Sequence, residues 1–323
     1  MGCVATGANS YLSRVKEVTY GETPITPTML TQRFSSNGIN ETRDTIDDTS
    51  ITSRRDQTTF RTGNSTVGGD LSGQFAPKAY DDLIESAMLG AWTVGDGVNG
   101  APVGTDYILN GNSVTSFTIE DGQNDISIFR QFTGMVADTF AVTAPVDGAV
   151  DVSFTMAGKK MTVDAQLGVP DDSAGESSTE FFTHKGGTLS EGGVPSAIVQ
   201  SVDVTVANNF AGIFVWGGDG TVLCQNEGSL NVTGTLEVFY TDDVLLNKFL
   251  NETPSDLEFS LVAPNGDSLN FFLPNIRFAG GDVPVADRDS PRILTMPFTA
   301  IYSTDIDTIV GENGTIKIER TYA

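Results

Sequence analysis

Two cysteines, Cys3 and Cys224, are too few to staple a chain of 323 residues, so no disulfide framework holds this fold and none argues for secretion. Histidine is scarcer still, with His184 the only one. Metal sites built on His and Cys need several ligands close together, and these three residues are widely spread. Asp47-Asp48 and Asp171-Asp172 lack the oxygen-ligand spacing and fixed glycine of a calcium loop. No apolar run approaches the roughly 18 residues that cross a membrane. The N-terminus shows no apolar signal core, which separates Cys3 from a lipoprotein cysteine. Met1-Gly2 with Thr6 fits the myristoylation pattern, which is short enough to recur by chance. Asn-x-Ser/Thr sites begin at Asn40, Asn64, Asn231, Asn251 and Asn313, and carry meaning only in a eukaryotic secretory setting. Positive charge is in short supply too: 18 Lys and Arg stand against 42 Asp and Glu, a net charge of −24. Each phosphate contact needs a cation, so this balance argues against binding nucleic acid or an anionic membrane.

Catalytic patterns are equally thin. His184 sits beside Lys185 and two glycines, with no serine or cysteine motif near it, and reads as a loop residue. The pairs Gly68-Gly69, Gly186-Gly187, Gly217-Gly218 and Gly280-Gly281 form neither a phosphate loop with its lysine nor a dinucleotide fingerprint. With 42 acidic residues, carboxylate pairs in space are guaranteed, and none stands out as a hydrolase pair. The expectation is therefore no enzyme, no cofactor and no metal. An acidic, glycine-rich chain with sequons also suits a β-rich surface adhesin or carbohydrate-binding module, the alternative reading.

What the chain has is glycine, 35 of them, with Ser/Thr/Asn/Asp clusters between short apolar runs. That pattern predicts a mainly β fold with frequent turns. Val202, Val204 and Val206 alternate with Asp203 and Thr205, and the runs Leu257–Leu261, Leu269–Leu273, Val150–Met156, Leu294–Tyr302 and Phe117–Ile119 alternate likewise. Ile316 and Ile318 predict a last strand, and Ser190-Glu191-Gly192-Gly193 a hairpin turn. Tyr20–Met29, carrying Gly21, Pro24 and Pro27, reads as an extended arm. Asn40–Thr66 is polar, without a clear period, and reads as a loop that is disordered or interacts. It holds Arg43, Arg54, Arg55 and Arg61.

Two short helices are expected. Pro77 opens the first, with Asp81 and Asp82 near its start, Gly90 at its end, and Leu83, Ile84, Ala87 and Met88 on one face. Thr241 caps the second, followed by Asp242 and Asp243 and the stripe Leu245, Leu246, Phe249 and Leu250. Each helix follows a related strand. Val67-Gly68-Gly69-Asp70-Leu71 and Phe75 match Val232-Thr233-Gly234-Thr235-Leu236 and Tyr240, an offset of 165 from Gly69 to Gly234. Further on, Val150, Val152, Phe154 and Met156 align with Leu294, Met296, Phe298 and Ala300 at an offset of 144. The order predicts one β unit with a short helix, used twice: residues 1–165, a linker 166–195 that includes Asp171–Glu176, and residues 196–323. Fused copies of one unit are a device of symmetric assemblies.

Several phrases then become recognisable in order. Gly7-Ala8-Asn9-Ser10-Tyr11-Leu12 leads to Val18-Thr19-Tyr20-Gly21-Glu22-Thr23-Pro24. Later come Leu245-Leu246-Asn247-Lys248-Phe249-Leu250-Asn251-Glu252, Leu273-Pro274-Asn275-Ile276-Arg277-Phe278-Ala279-Gly280-Gly281 and Met296-Pro297-Phe298-Thr299-Ala300-Ile301-Tyr302. Over nearly its whole length the chain resembles the tail tube (major tail) proteins of phages with long, non-contractile tails. The resemblance implies two tandem β-sandwich or barrel units, each with a short flanking helix, in a structural protein of the virion tail that is made in the bacterial cytoplasm. Such subunits form rings that stack around a tape-measure protein, meet tail-tip and tail-completion proteins, and let DNA pass without specific binding. Rings of single-domain members hold six subunits, so a doubled chain implies either a trimer with pseudo-sixfold symmetry or a hexamer of whole chains. Acidity then has a use, since an acidic bore repels DNA and lets it slide. Arg43, Arg54, Arg55 and Arg61 become candidates for contacts with a neighbouring subunit or ring.

Overall fold

The computed structural model of the chain describes residues 4–51, 53–95, 104–168, 170, 180–196, 198–285, 287–304 and 313–322. Cys3, the Met1-Gly2 pattern and the run Asp171–Glu176 lie outside the described residues. In chain order come β1 (Ser10–Lys16), β2 (Leu30–Thr31), β3 (Ser36–Asn37), β4 (Asn40–Asp47), β5 (Phe60–Gln74) and helix α1 (Asp81–Met88). β6 (Thr93–Val94), β7 (Thr105–Leu109), β8 (Phe117–Gln123), β9 (Ile128–Pro145), β10 (Asp151–Gly158) and β11 (Lys160–Asp164) follow. Then come β12 (Leu189–Glu191), β13 (Val194–Pro195), β14 (Val199–Ala207), β15 (Ala211–Ile213), β16 (Cys224–Asn226), β17 (Asn231–Phe239) and helix α2 (Val244–Leu250). β18 (Ser255–Val262), β19 (Ser268–Phe278), β20 (Ile293–Ala300) and β21 (Lys317–Thr321) end the chain. The fold is mainly β, as the alternation predicts, and every strand pairing described is antiparallel.

One long sheet runs β4-β5-β10-β9-β14-β17-β20. Its inner positions alternate strictly with outer ones: Val152, Phe154 and Met156 on β10, and Val202, Val204 and Val206 on β14, are buried. They pack against a second layer in which β18 and β21 flank β19. Phe271 of β19 centres the contact, 4.7 Å from the Phe259 ring and 6.5 Å from those of Phe140 and Phe75. One hydrophobic cluster thus reaches from Leu12 to Ile318, through both halves. The first half of β9 turns away from the long sheet to pair with β8 and β11, and Gly134 at φ +66 stands at the bend.

Each half has its own set of pairings. In the first, β1 pairs β2 and β8, β9 pairs β8, β10 and β11, and β5 pairs β10 and β4. In the second, β19 pairs β18, β20 and β21, and β17 pairs β20 and β14, while β12 and β13, inside residues 166–195, form a hairpin of which β12 pairs β18. The ladders refine the alignment. Met156 faces Gly69, whereas Gly234 faces Phe298, two residues short of the Ala300 that the 144 offset selects. Two ladders cross between the halves, β9 to β14 and β7 to β21.

Local chemistry explains the details. Gly192 and Gly193, at φ +62 and +70, make the two-residue turn between β12 and β13 that the glycine pair predicts. α1 begins with Asp81 and Asp82 and ends where Leu89 turns left-handed at φ +48. Its stripe of Leu83, Ile84, Ala87 and Met88 is fully buried. α2 starts at Val244, later than a Thr241 cap would place it, because the Asp242 carboxylate takes the Val244 N–H at 3.0 Å. The 40–66 stretch is mostly ladder: β4 and β5 form a hairpin with register from Asn40↔Gly68 to Asp47↔Phe60. A strand exposed on both faces leaves no apolar alternation, which is why its sequence reads as loop.

Candidate functional site: the assembly surfaces

The outer face of the long sheet is the most distinctive surface. β5 presents Asp70, Ser72 and Gln74; β10 presents Asp151, Ser153 and Thr155; β9 presents Thr139, Ala141 and Thr143. Ser201, Asp203 and Thr205 of β14 continue the face, followed by Thr233, Thr235 and Glu237 of β17, then Thr295, Pro297 and Thr299 of β20. Across six strands these positions hold carboxylates and hydroxyls and no lysine or arginine. Hydroxyls orient the acids: Thr155 Oγ1 donates to Asp70 Oδ1 at 2.7 Å, and Ser201 Oγ donates to Glu237 Oε2 at 2.9 Å. Burial, with the Glu237 charge nearby, lifts the Asp203 carboxyl above its ordinary range, against a lowering hydrogen bond from Thr143. An anionic face without cations at these positions repels polyanions. The polar half of the strand alternation had already pointed Asp203 and Thr205 this way.

The four candidate arginines lie on one hairpin. Arg43, on β4, pairs with Glu41 at 2.6 Å. Arg61, on β5, stands opposite Ile46, while Arg54 and Arg55 are exposed in the connection between the two strands. Ile46, Ile51 and Phe60 are exposed beside them, so the hairpin offers apolar as well as cationic contact. The corresponding connection in the second half, between β14 and β17, contains the β15–β16 hairpin and no arginine. It exposes Trp216 completely, with Val215 and Leu223, and no periodicity flagged that tip. Its Gly220 carbonyl accepts the Ser65 N–H at 2.8 Å, which seats this loop against the base of the arginine hairpin.

Residues near both ends of the chain are tied to α1. Arg320 reaches Asp81 at 2.6 Å and Asp106 at 2.9 Å and lies over the Trp92 ring at 4.1 Å. The Tyr322 hydroxyl donates to Asp81 at 2.7 Å, and buried Arg14 meets Asp82 at 3.4 Å. Among the described residues, no group of three or more His, Cys, Asp and Glu is placed to hold a metal ion, and no helix is long and apolar enough to cross a membrane. Residues 7–300 match a protein-family model described as phage tail tube protein. No curated protein matches the chain.

Proposed function

The chain belongs to the phage tail tube protein family, a structural component of the virion tail that assembles into a tube, and we propose that the cation-free outer face of its long sheet is the wall of the bore. That face, with Asp70, Asp151, Asp203 and Glu237 among its hydroxyls, is the single observation that carries the reading. Double-stranded DNA bears one negative charge per roughly 1.7 Å of axis. A basic wall would release its counterions and hold it; an acidic wall keeps it solvated and moving. Rings stacked around a tape-measure protein, with tail-tip and tail-completion proteins at the ends, follow from the same reading.

We further propose that one β unit is used twice, at residues 1–165 and 196–323, and that the ring is a trimer with pseudo-sixfold symmetry. The pairings within each half support it, and so does the β9–β14 ladder, which joins the two units much as neighbouring subunits would be joined. The arginine hairpin, projecting from the first unit, reaches a neighbouring subunit or ring, where repeated cation–carboxylate contacts set register between acidic rings. The test is charge reversal on the wall. Phage carrying Asp70→Lys, Asp151→Lys and Glu237→Lys together should build normal tails by electron microscopy and release DNA more slowly on receptor triggering. Unchanged release from intact tails would refute the conduit role of this face.

A further inference from the structure

The two ends of the long sheet are unequal to its middle. Inside the chain, β9 of the first half and β14 of the second close against each other in a ladder from Ser201↔Pro145 to Ala207↔Thr139. The counterparts of these strands, at the outer ends of the sheet, have no ladder partner on their far sides among the described residues. Which residues correspond can be read from three landmarks. A Cβ on Gly69 would meet the Gly38 carbonyl oxygen at 2.2 Å, and a Cβ on Gly234 would meet the Asp203 carbonyl oxygen at the same 2.2 Å, so Gly38 corresponds to Asp203. The β8–β9 ladder bulges between Phe117↔Met135 and Ile119↔Phe132, and the β18–β19 ladder bulges between Ser255↔Ile276 and Leu257↔Leu273, so Met135 corresponds to Ile276. Carried along the strand, this places Asp282, opposite Thr295, where Ala141 stands opposite Ser153.

We infer that residues Gly38–Thr42 of one chain pair as an antiparallel strand with Gly280–Pro284 of a second copy of this chain, reproducing between chains the joint that β14 and β9 make within one. This rests on the self-assembling ring reading above. Thr205↔Ala141 becomes Asn40↔Asp282, Asp203↔Thr143 becomes Gly38↔Pro284, and Ala207↔Thr139 becomes Thr42↔Gly280. The faces agree: Gly38, Asn40, Asp282 and Pro284 are exposed on the side that continues the wall, while Ile39 is buried on the core side. At the centre of the joint, Asn37 Oδ1 now accepts the Ile39 N–H at 3.1 Å and Arg292 Nη2 donates to the Val283 carbonyl at 2.7 Å, and both side chains give way to the Ile39↔Val283 pair.

An independent feature lies at the same end. α1 is covered from the β14 side, where Asn208 Nδ2 donates to the Ala87 carbonyl at 2.8 Å. Among the described residues α2 has no such cover, and Val244 and Leu250 are more than half exposed. Across the joint, Arg43 of the first chain takes the place of Asn208, which brings its guanidinium towards the C-terminal end of the second copy's α2, where a cation is favoured. A head-to-tail contact of this kind closes into a ring when the rotation permits.

The experiment is a cysteine pair in a Cys3→Ser, Cys224→Ser background. Asn40 and Asp282 fall at a non-hydrogen-bonded position: the flanking pair Val146 N–H to Gln200 carbonyl is bonded within the parent joint, and Thr205↔Ala141 lies an odd step away. Cα atoms there sit about 4.5 Å apart, within disulfide range. Oxidised tails carrying Asn40→Cys with Asp282→Cys should convert most of the chain to a covalent ring on a non-reducing gel. Thr42→Cys with Asp282→Cys, two residues out of register, should leave it largely uncrosslinked. Tubes that form normally but crosslink poorly in the first pair, or better in the second, overturn this joint and leave the tube function standing. A wild-type chain that forms neither rings nor tubes, alone or in infected cells, overturns the function and the joint with it.

Discussion

α1 and α2, one in each half of the chain, meet opposite fates. α1 has Leu83, Ile84, Ala87 and Met88 buried to 1% exposure or less, whereas no residue of α2 is buried and Leu250 is 65% exposed. Their sequences do not explain this, since both carry an apolar stripe at helical spacing. The difference is position: α1 lies under the crossing from first half to second, and α2 lies at the free end. A helix stripe read from sequence says that a face will be covered, and the partner that covers it need not be in the same chain.

The sharpest way to break the comparison is at the core both halves share. Phe271→Ala should cost about 3–5 kcal/mol, and the chain should still unfold in one calorimetric transition, because Phe271 touches rings from both halves. Two separated transitions would make the halves independent. Next in size are the outward faces. Leu250→Asp, and separately Arg54→Glu with Arg55→Glu, should shift the subunit's stability by no more than about 0.5 kcal/mol, as surface changes do, while tube length by electron microscopy falls sharply. Leu83→Asp, the matching change in α1, should instead unfold the subunit. The smallest effect belongs to the wall. Asp203 binds its proton more readily in the folded chain than in the unfolded one, so ionising it at neutral pH costs stability. Asp203→Asn should therefore raise the thermal midpoint at pH 7, and the gain should vanish as pH falls below the ordinary carboxylate range near pH 4. A gain that persists at pH 3 would assign the effect to something other than that charge.

Much of this was legible in the residues. One-sided strands announced themselves because one face must be apolar and the other wet, and the same alternation set Asp203 and Thr205 on the outer side. Gly69 and Gly234 each let a neighbouring carbonyl approach where a side chain cannot fit, which is why both positions are glycine. The arginine hairpin was harder: with solvent on both faces, β4 has no period to reveal it. β9 was hidden for the opposite reason, since Met135, Val136 and Ala137 are all buried and a bulge interrupts the count.

By itself, then, the chain's order of residues determined the strand content, the two helices and the acidity, all of which depend on near neighbours and on composition. Only tertiary structure decided that the halves share one core, that the second alignment shifts by two residues, that the acids and hydroxyls of six strands lie on one face, and which edges are left open. Those are matters of register between segments far apart in the chain, and register is set by packing and bulges that local periodicity does not encode.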